Sequence, residues 1–162
     1  MKKSQMVEVH LFIVLILVAF SLSYASSALA AMNEQSMLTM AVVRGDIKQI
    51  ESILSAVGAK PIPKGPVILA IQRGKTEAVK AFLEHGANAN DHEVLMLAVR
   101  KGNPEVVRML LDHGANVNFK VHETIINKDR SRVEKDVSPL DVATESGNNA
   151  VRKLLLQHGA KG

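Results

Sequence analysis

The sequence predicts an all-α solenoid: four stacked helix-turn-helix units, short connections between them, and one long insertion before the last. Three observations carry this. Glycines recur in pairs: Gly74 with Gly86, Gly102 with Gly114 and Gly147 with Gly159 are 12 residues apart, and Gly45 with Gly58 is 13 apart. Between the glycines, apolar residues keep helical spacing. Val106, Val107, Leu110 and Leu111 fall at i, i+1, i+4 and i+5, a broad apolar face. Aromatics make up only 3% of the 162 residues, so the core is aliphatic, which suits thin layers of paired helices. A fixed repeat of units too small to bury both their sides is the mark of an array.

The first 30 residues read as an address rather than a fold. Met1-Lys2-Lys3 is a positive start, Leu11 to Phe20 is an unbroken apolar run of ten, and small residues follow to Ala28-Leu29-Ala30. That is the order of a secretory signal cut between Ala30 and Ala31. The alternative is an uncleaved anchor over Leu11 to Ala31, for which ten strongly apolar residues are short. Either way Lys2 and Lys3 stay inside and the repeats end outside the inner membrane. The short Lys-Lys start looks bacterial, so the expected compartment is the periplasm, with an inner-membrane anchor facing the periplasm as the alternative.

The domain then spans 31–162. Unit one covers about 33–60, with helices near Glu34 to Arg44 and Asp46 to Ala56. Unit two covers about 61–90; Pro61, Pro63 and Pro66 stiffen its entry, and Val67, Ala70, Val79, Phe82 and Leu83 form its core. Unit three, about 91–118, is the best formed. Asn103-Pro104-Glu105 is a helix start, with an N-cap residue, proline at the first helical position and an acid in the first turn. Gly114 fits a left-handed stop. Unit four covers about 137–162. Gln49 stands where later units have Ala78, Val106 and Val151, and Arg152 where earlier ones have Ile50, Val79 and Val107. Polar residues at two adjacent positions, one at each end, predict two caps on a closed array.

These units resemble ankyrin repeats. The resemblance rests on His85-Gly86-Ala87-Asn88-Ala89-Asn90, on His113-Gly114-Ala115-Asn116-Val117-Asn118, and on the opening Ser138-Pro139-Leu140-Asp141-Val142-Ala143. It covers about 34–161. Glycines 58, 86 and 114 are 28 apart, against a usual unit of about 33. The missing residues fall where ankyrin repeats carry projecting β-hairpin fingers, so those fingers should be clipped. Glycines 114 and 159 are 45 apart. The surplus, 119–137, predicts one long finger or loop, with strand propensity at Phe119, Val121 and Thr124-Ile125-Ile126 and a turn over 127–131.

Little catalytic chemistry is legible. The chain has no cysteine, which excludes disulfides and thiolate metal sites. His85, His113 and His158 repeat one position before a stop glycine and read as helix-end cations or donors, not as ligands of one metal. His92 and His122 read as isolated surface residues. No nucleophile elbow, zincin, phosphate-loop or dinucleotide motif occurs. No enzyme activity, cofactor or metal is expected. The net charge of +4 is too mild to indicate nucleic acid.

The resemblance implies instead a non-catalytic protein-binding module, monomeric, touching the membrane only if the signal stays uncut. In ankyrin repeats the residues just before each first-helix glycine line a concave groove. Here these include Arg44, Gln72 with Arg73, Arg100 with Lys101, and Glu145: a basic column with an acidic end, suited to an acidic partner. The same cations suit helix C-termini, so the row reads equally as solvated surface. Finger contacts are expected from Phe119, Lys128, Arg130 and Arg132. A sharper version is an immunity protein or inhibitor of a periplasm-acting toxin such as a lipase; another is an accessory to catalase-type oxidative defence.

Overall fold

Each described helix is one of a pair whose turn is set by glycine. The computed structural model describes residues 34–58, 61–126 and 132–161. The apolar run, Ala30, Ala31, Lys128, Arg130 and the turn over 127–131 lie outside them. Helix α1 runs over 34–44. It is followed by α2 (Ile47–Val57), α3 (Lys64–Gln72), α4 (Thr76–Glu84), α5 (His92–Lys101) and α6 (Pro104–Asp112). Strands β1 (Val121–Ile126) and β2 (Arg132–Val137) come next, then α7 (Pro139–Glu145) and α8 (Asn149–Gln157). Among the described residues no helix is long and apolar enough to cross a membrane.

Side-chain caps start most helices where the sequence places them. Asn103 accepts from the N–H groups of Glu105 (3.1 Å) and Val106 (3.2 Å), with Pro104 beginning α6. Asp46, Asp91 and Asn148 cap α2, α5 and α8 in the same way, filling donors that no helical carbonyl reaches. At α7, Ser138 and Asp141 form a reciprocal capping box. The Ser138 hydroxyl and N–H both donate to the Asp141 carboxylate, at 2.6 and 2.9 Å, and hold its pKa below the usual range.

The helices stack in two layers. In one, α2 packs on α4, α4 on α6 and α6 on α8; in the other, α3 packs on α5 and α5 on α7. Their contacts are columns of equivalent residues. Ile50, Val79 and Val107 are fully buried, and so are Ala78, Val106 and Val151. The array ends where a column turns outward. Arg152 is exposed and Gln49 half-buried. Leu156 continues the buried column Leu54, Leu83, Leu111 but is 47% exposed. Asparagines tie the turns across units: Asn90 accepts from the Asn116 N–H (2.9 Å), and Asn118 accepts from the Lys161 N–H (2.9 Å) while donating to the Gly159 carbonyl (3.0 Å).

The insertion is a hairpin, not a loop. β1 and β2 pair antiparallel from Val121↔Val137 to Ile126↔Arg132, and form the one sheet among the described residues. No strand projects between the first three helix pairs in the described residues. This agrees with the short spacing of glycines 58, 86 and 114.

Gly102 is both a left-handed stop, at φ +65°, and a close approach: an added Cβ would lie 2.6 Å from Asn148 Nδ2. That nitrogen donates to the Gly102 carbonyl at 3.1 Å. Gly74 shares the same φ of +65° with open space around it. Gly74→Ala should therefore cost about 1–2 kcal/mol, the price of left-handed backbone for an L-residue. Gly102→Ala should cost roughly 1 kcal/mol more, because Asn148 must give up its bond. Urea unfolding of the two variants, compared at constant m-value, measures the difference.

Candidate functional site

The exposed face of each first helix is set by its distance from the stop glycine. Five residues before Gly45, Gly74, Gly102 and Gly147 stand Met40, Leu69, Leu97 and Val142; two before stand Val43, Gln72, Arg100 and Glu145; one before stand Arg44, Arg73, Lys101 and Ser146. These three positions are i, i+3 and i+4, one face of a helix. An apolar stripe therefore runs beside the cationic row.

The hairpin lies against this face at α5 and α7. Val121, His122 and Glu123 of β1 share an open cavity of about 360 Å³ with Glu93, Met96, Leu97 and Arg100 of α5. Arg100 forms an ion pair with Glu123. On the other arm, Lys135 Nζ is 2.6 Å from the Glu145 carboxylate at the end of α7, which raises the lysine pKa above its ordinary value. Each strand is thus clasped to one helix end by one ion pair. Three further residue pairs, Thr124↔Glu134 to Ile126↔Arg132, carry the hairpin on for about 10 Å.

Three of the sequence-predicted contacts change role. Arg100 and Glu145 are not free groove residues: both are engaged by the hairpin. Phe119 is not a finger contact. It is only 8% exposed, and its ring stacks on His92 at 3.9 Å with the planes 4° apart. Burial of an aromatic face outweighs its place at the start of an insertion, and the pair pins the base of β1 to the first turn of α5. Arg44, Gln72, Arg73 and Lys101 remain exposed on the helix face, and Arg132 is exposed at the start of β2. Arg44, Arg73 and Lys101 have no hydrogen-bond or ion-pair partner among the described residues.

The histidines separate into two kinds. His85, His113 and His158 sit at C-cap positions. The His113 ring nitrogen lies 2.8 Å from the Met109 carbonyl, and His158 lies 3.9 Å from Asp112 of the preceding unit. Among the described residues no cluster of His, Asp and Glu has the arrangement of a metal site. His122 is exposed but not isolated. Cross-strand pairing puts it 3.1 Å from Asp136 and 3.4 Å from Glu134. These partners could have been read from the sequence only with the hairpin register in hand. The apolar members of the groove face, Met40, Leu69 and Leu97, were equally hard to single out, because apolar character alone assigns them to the core.

A comparison with family models matches residues 29–121 to ankyrin repeats (3 copies). No curated protein matches the chain.

Hydrogen bonds from the His122 ring, first to Asp136 and then to Glu134, raise its pKa above the ordinary value of about 6.5. A pKa raised by folding means that the charged histidine steadies the hairpin. That contribution is complete below the unfolded value and fades as pH rises through the folded one. Proton NMR should show His122 titrating above about 6.5, with Asp136→Asn moving it back toward that value. Amide exchange in β1 and β2 should quicken over the same rise in pH.

Proposed function

The chain belongs to the ankyrin-repeat family, whose repeats are generally protein–protein interaction modules, and from that premise we propose that it is an exported, non-catalytic binder of an acidic protein surface. The observation that carries this reading is the row Arg44, Arg73 and Lys101. It repeats at one position of successive units, is exposed, and has no acid of the chain paired to it among the described residues. Its neighbours on the same face, Arg100 and Glu145, already have partners. Unpaired cations on a rigid repeat surface steer an acidic partner and fix its register. Recognition needs no chemistry from the chain: the scaffold holds the cations at fixed spacing, and the partner supplies the opposing carboxylates.

The hairpin supports a narrower form of the proposal. Its distal half continues beyond the residues that are ion-paired to α5 and α7, with Arg132 and Val133 exposed. A tethered projection beside a basic face suits an inhibitor that reaches into the active-site cleft of a periplasm-acting hydrolase. Export rests on the N-terminal sequence: Lys2 and Lys3, the apolar run from Leu11 to Phe20, and Ala28-Leu29-Ala30.

The double substitution Arg73→Glu with Lys101→Glu should abolish capture of a defined partner from periplasmic extract, while Arg152→Glu on α8 leaves capture intact. Unchanged capture by the double variant removes the groove from the proposal. Fractionation with intact-mass measurement should find a soluble periplasmic species beginning at Ala31; a full-length species in the membrane fraction means an anchor instead.

A further inference from the structure

The hairpin is a sheet of two strands, and so small a sheet is marginal in water without a third strand or a covering helix. Its base is held by side chains. Glu123↔Lys135 is the pair tied to the helices, through Arg100 and Glu145, and three more pairs follow it, Thr124↔Glu134 to Ile126↔Arg132. Among the described residues no backbone group of β1 or β2 bonds to a helix or a loop, so each strand keeps one open edge. The two edges differ in chemistry. β2, Arg-Val-Glu-Lys-Asp-Val, is charged at four of its six positions, the pattern that keeps an edge strand from accepting another. β1, Val-His-Glu-Thr-Ile-Ile, has Glu123 as its one acid and neither Lys nor Arg, and that acid is already paired with Arg100. Its β-branched residues favour strand. The edge that invites a further strand is that of β1.

We propose that β1 pairs with β1 of a second copy of this chain, antiparallel and across a two-fold axis, to make a four-stranded sheet in the order β2–β1–β1–β2. The chain is then a dimer, where the resemblance leads one to expect a monomer. The two edges decide the occupant. A strand of a different protein would leave its own far edge open, whereas a second copy brings its charged β2 edge with it and closes the assembly. The residues also fit. A two-fold axis normal to an antiparallel pair sets one residue opposite its own copy. Centred on Glu123 the axis opposes like charges, which is unfavourable. Centred on Thr124 it opposes two threonines, a favourable cross-strand pair. That register sets Glu123 against Ile125 and His122 against Ile126, and engages 122–126 of each strand. The contact is separate from the cationic row, so its test does not bear on the acidic-partner reading.

Sedimentation velocity of the purified exported chain at rising concentration should show a monomer passing to a dimer and to nothing larger, with roughly micromolar affinity for so small an interface. Thr124→Lys, at an exposed side chain, opposes two cations and should weaken the dimer roughly fivefold or more. His122 should keep its raised titration in that variant, which shows the hairpin intact. Leu156→Lys, at the exposed apolar residue of α8, should leave the dimer unchanged. The chain has no cysteine, so Thr124→Cys supplies a single thiol. Residues opposed across strands lie about 5 Å apart, and a short bismaleimide should join two copies through Thr124→Cys and not through Val133→Cys on β2. A chain that stays monomeric at every concentration overturns the proposal. So does a dimer indifferent to Thr124→Lys, a dimer abolished by Leu156→Lys, or linkage through Val133→Cys in place of Thr124→Cys. Species that keep growing with concentration also overturn it, because the β2 edge is then open. If Thr124→Lys returns His122 to its ordinary titration, the hairpin itself is lost and the Thr124→Cys linkage decides.

Discussion

A pair of helices about ten residues long has two apolar sides and no interior of its own. Everything in this chain follows from the need to cover both. The columns Ile50–Val79–Val107 and Ala78–Val106–Val151 are buried because each unit covers its neighbour. Such packing tolerates no intervening loop, so the turns must be tight, and the glycines at positive φ make them so. It also leaves one face of every first helix outside the core, at identical spacing. The binding surface and the hydrophobic core are therefore products of one periodicity: residues four before each stop glycine (Ala41, Ala70, Ala98, Ala143) are buried, and those one before it are exposed.

This explains what could be read in advance. Helix pairs, stop glycines, the Asn103 cap and the polar change at Arg152 are local or periodic signals, and the structure places them as the sequence suggests. The strand tendency of Val121 to Ile126 was also legible from its β-branched residues, though it left a finger and a loop both open. Its docking was not. Which way a hairpin leans depends on pairings between residues far apart in sequence, Arg100 with Glu123 and Lys135 with Glu145, and surface charges have many candidate partners until a register is given. Phe119 was misplaced for the same reason: nothing near it in sequence announces the ring of His92, 27 residues earlier.

The electrostatics divide along the same line. Pairs between neighbouring elements hold the stack and the hairpin in place. Lys64 reaches Glu93 at 2.6 Å and Asp91 at 3.8 Å, joining the starts of α3 and α5 and raising the lysine pKa. On the first-helix face the cations left without such neighbours among the described residues are Arg44, Arg73 and Lys101. A protein whose internal ion pairs were all made on the same face would have no steering field left; here the hairpin uses Arg100 and leaves the remaining row exposed.

The pairing of Val121 with Val137 has a topological consequence. The hairpin leaves the stack and returns to it across a single registered pair, with Phe119 held on one side and the Ser138–Asp141 box on the other. The helices on either side meet through α5 and α7 and through α6 and α8, so the stack is closed without the strand residues beyond Glu123↔Lys135, the pair whose side chains tie the hairpin to Arg100 and Glu145. The insertion behaves as a graft. Its length and tip chemistry are free parameters of the molecule, adjustable without disturbing the repeats that carry it.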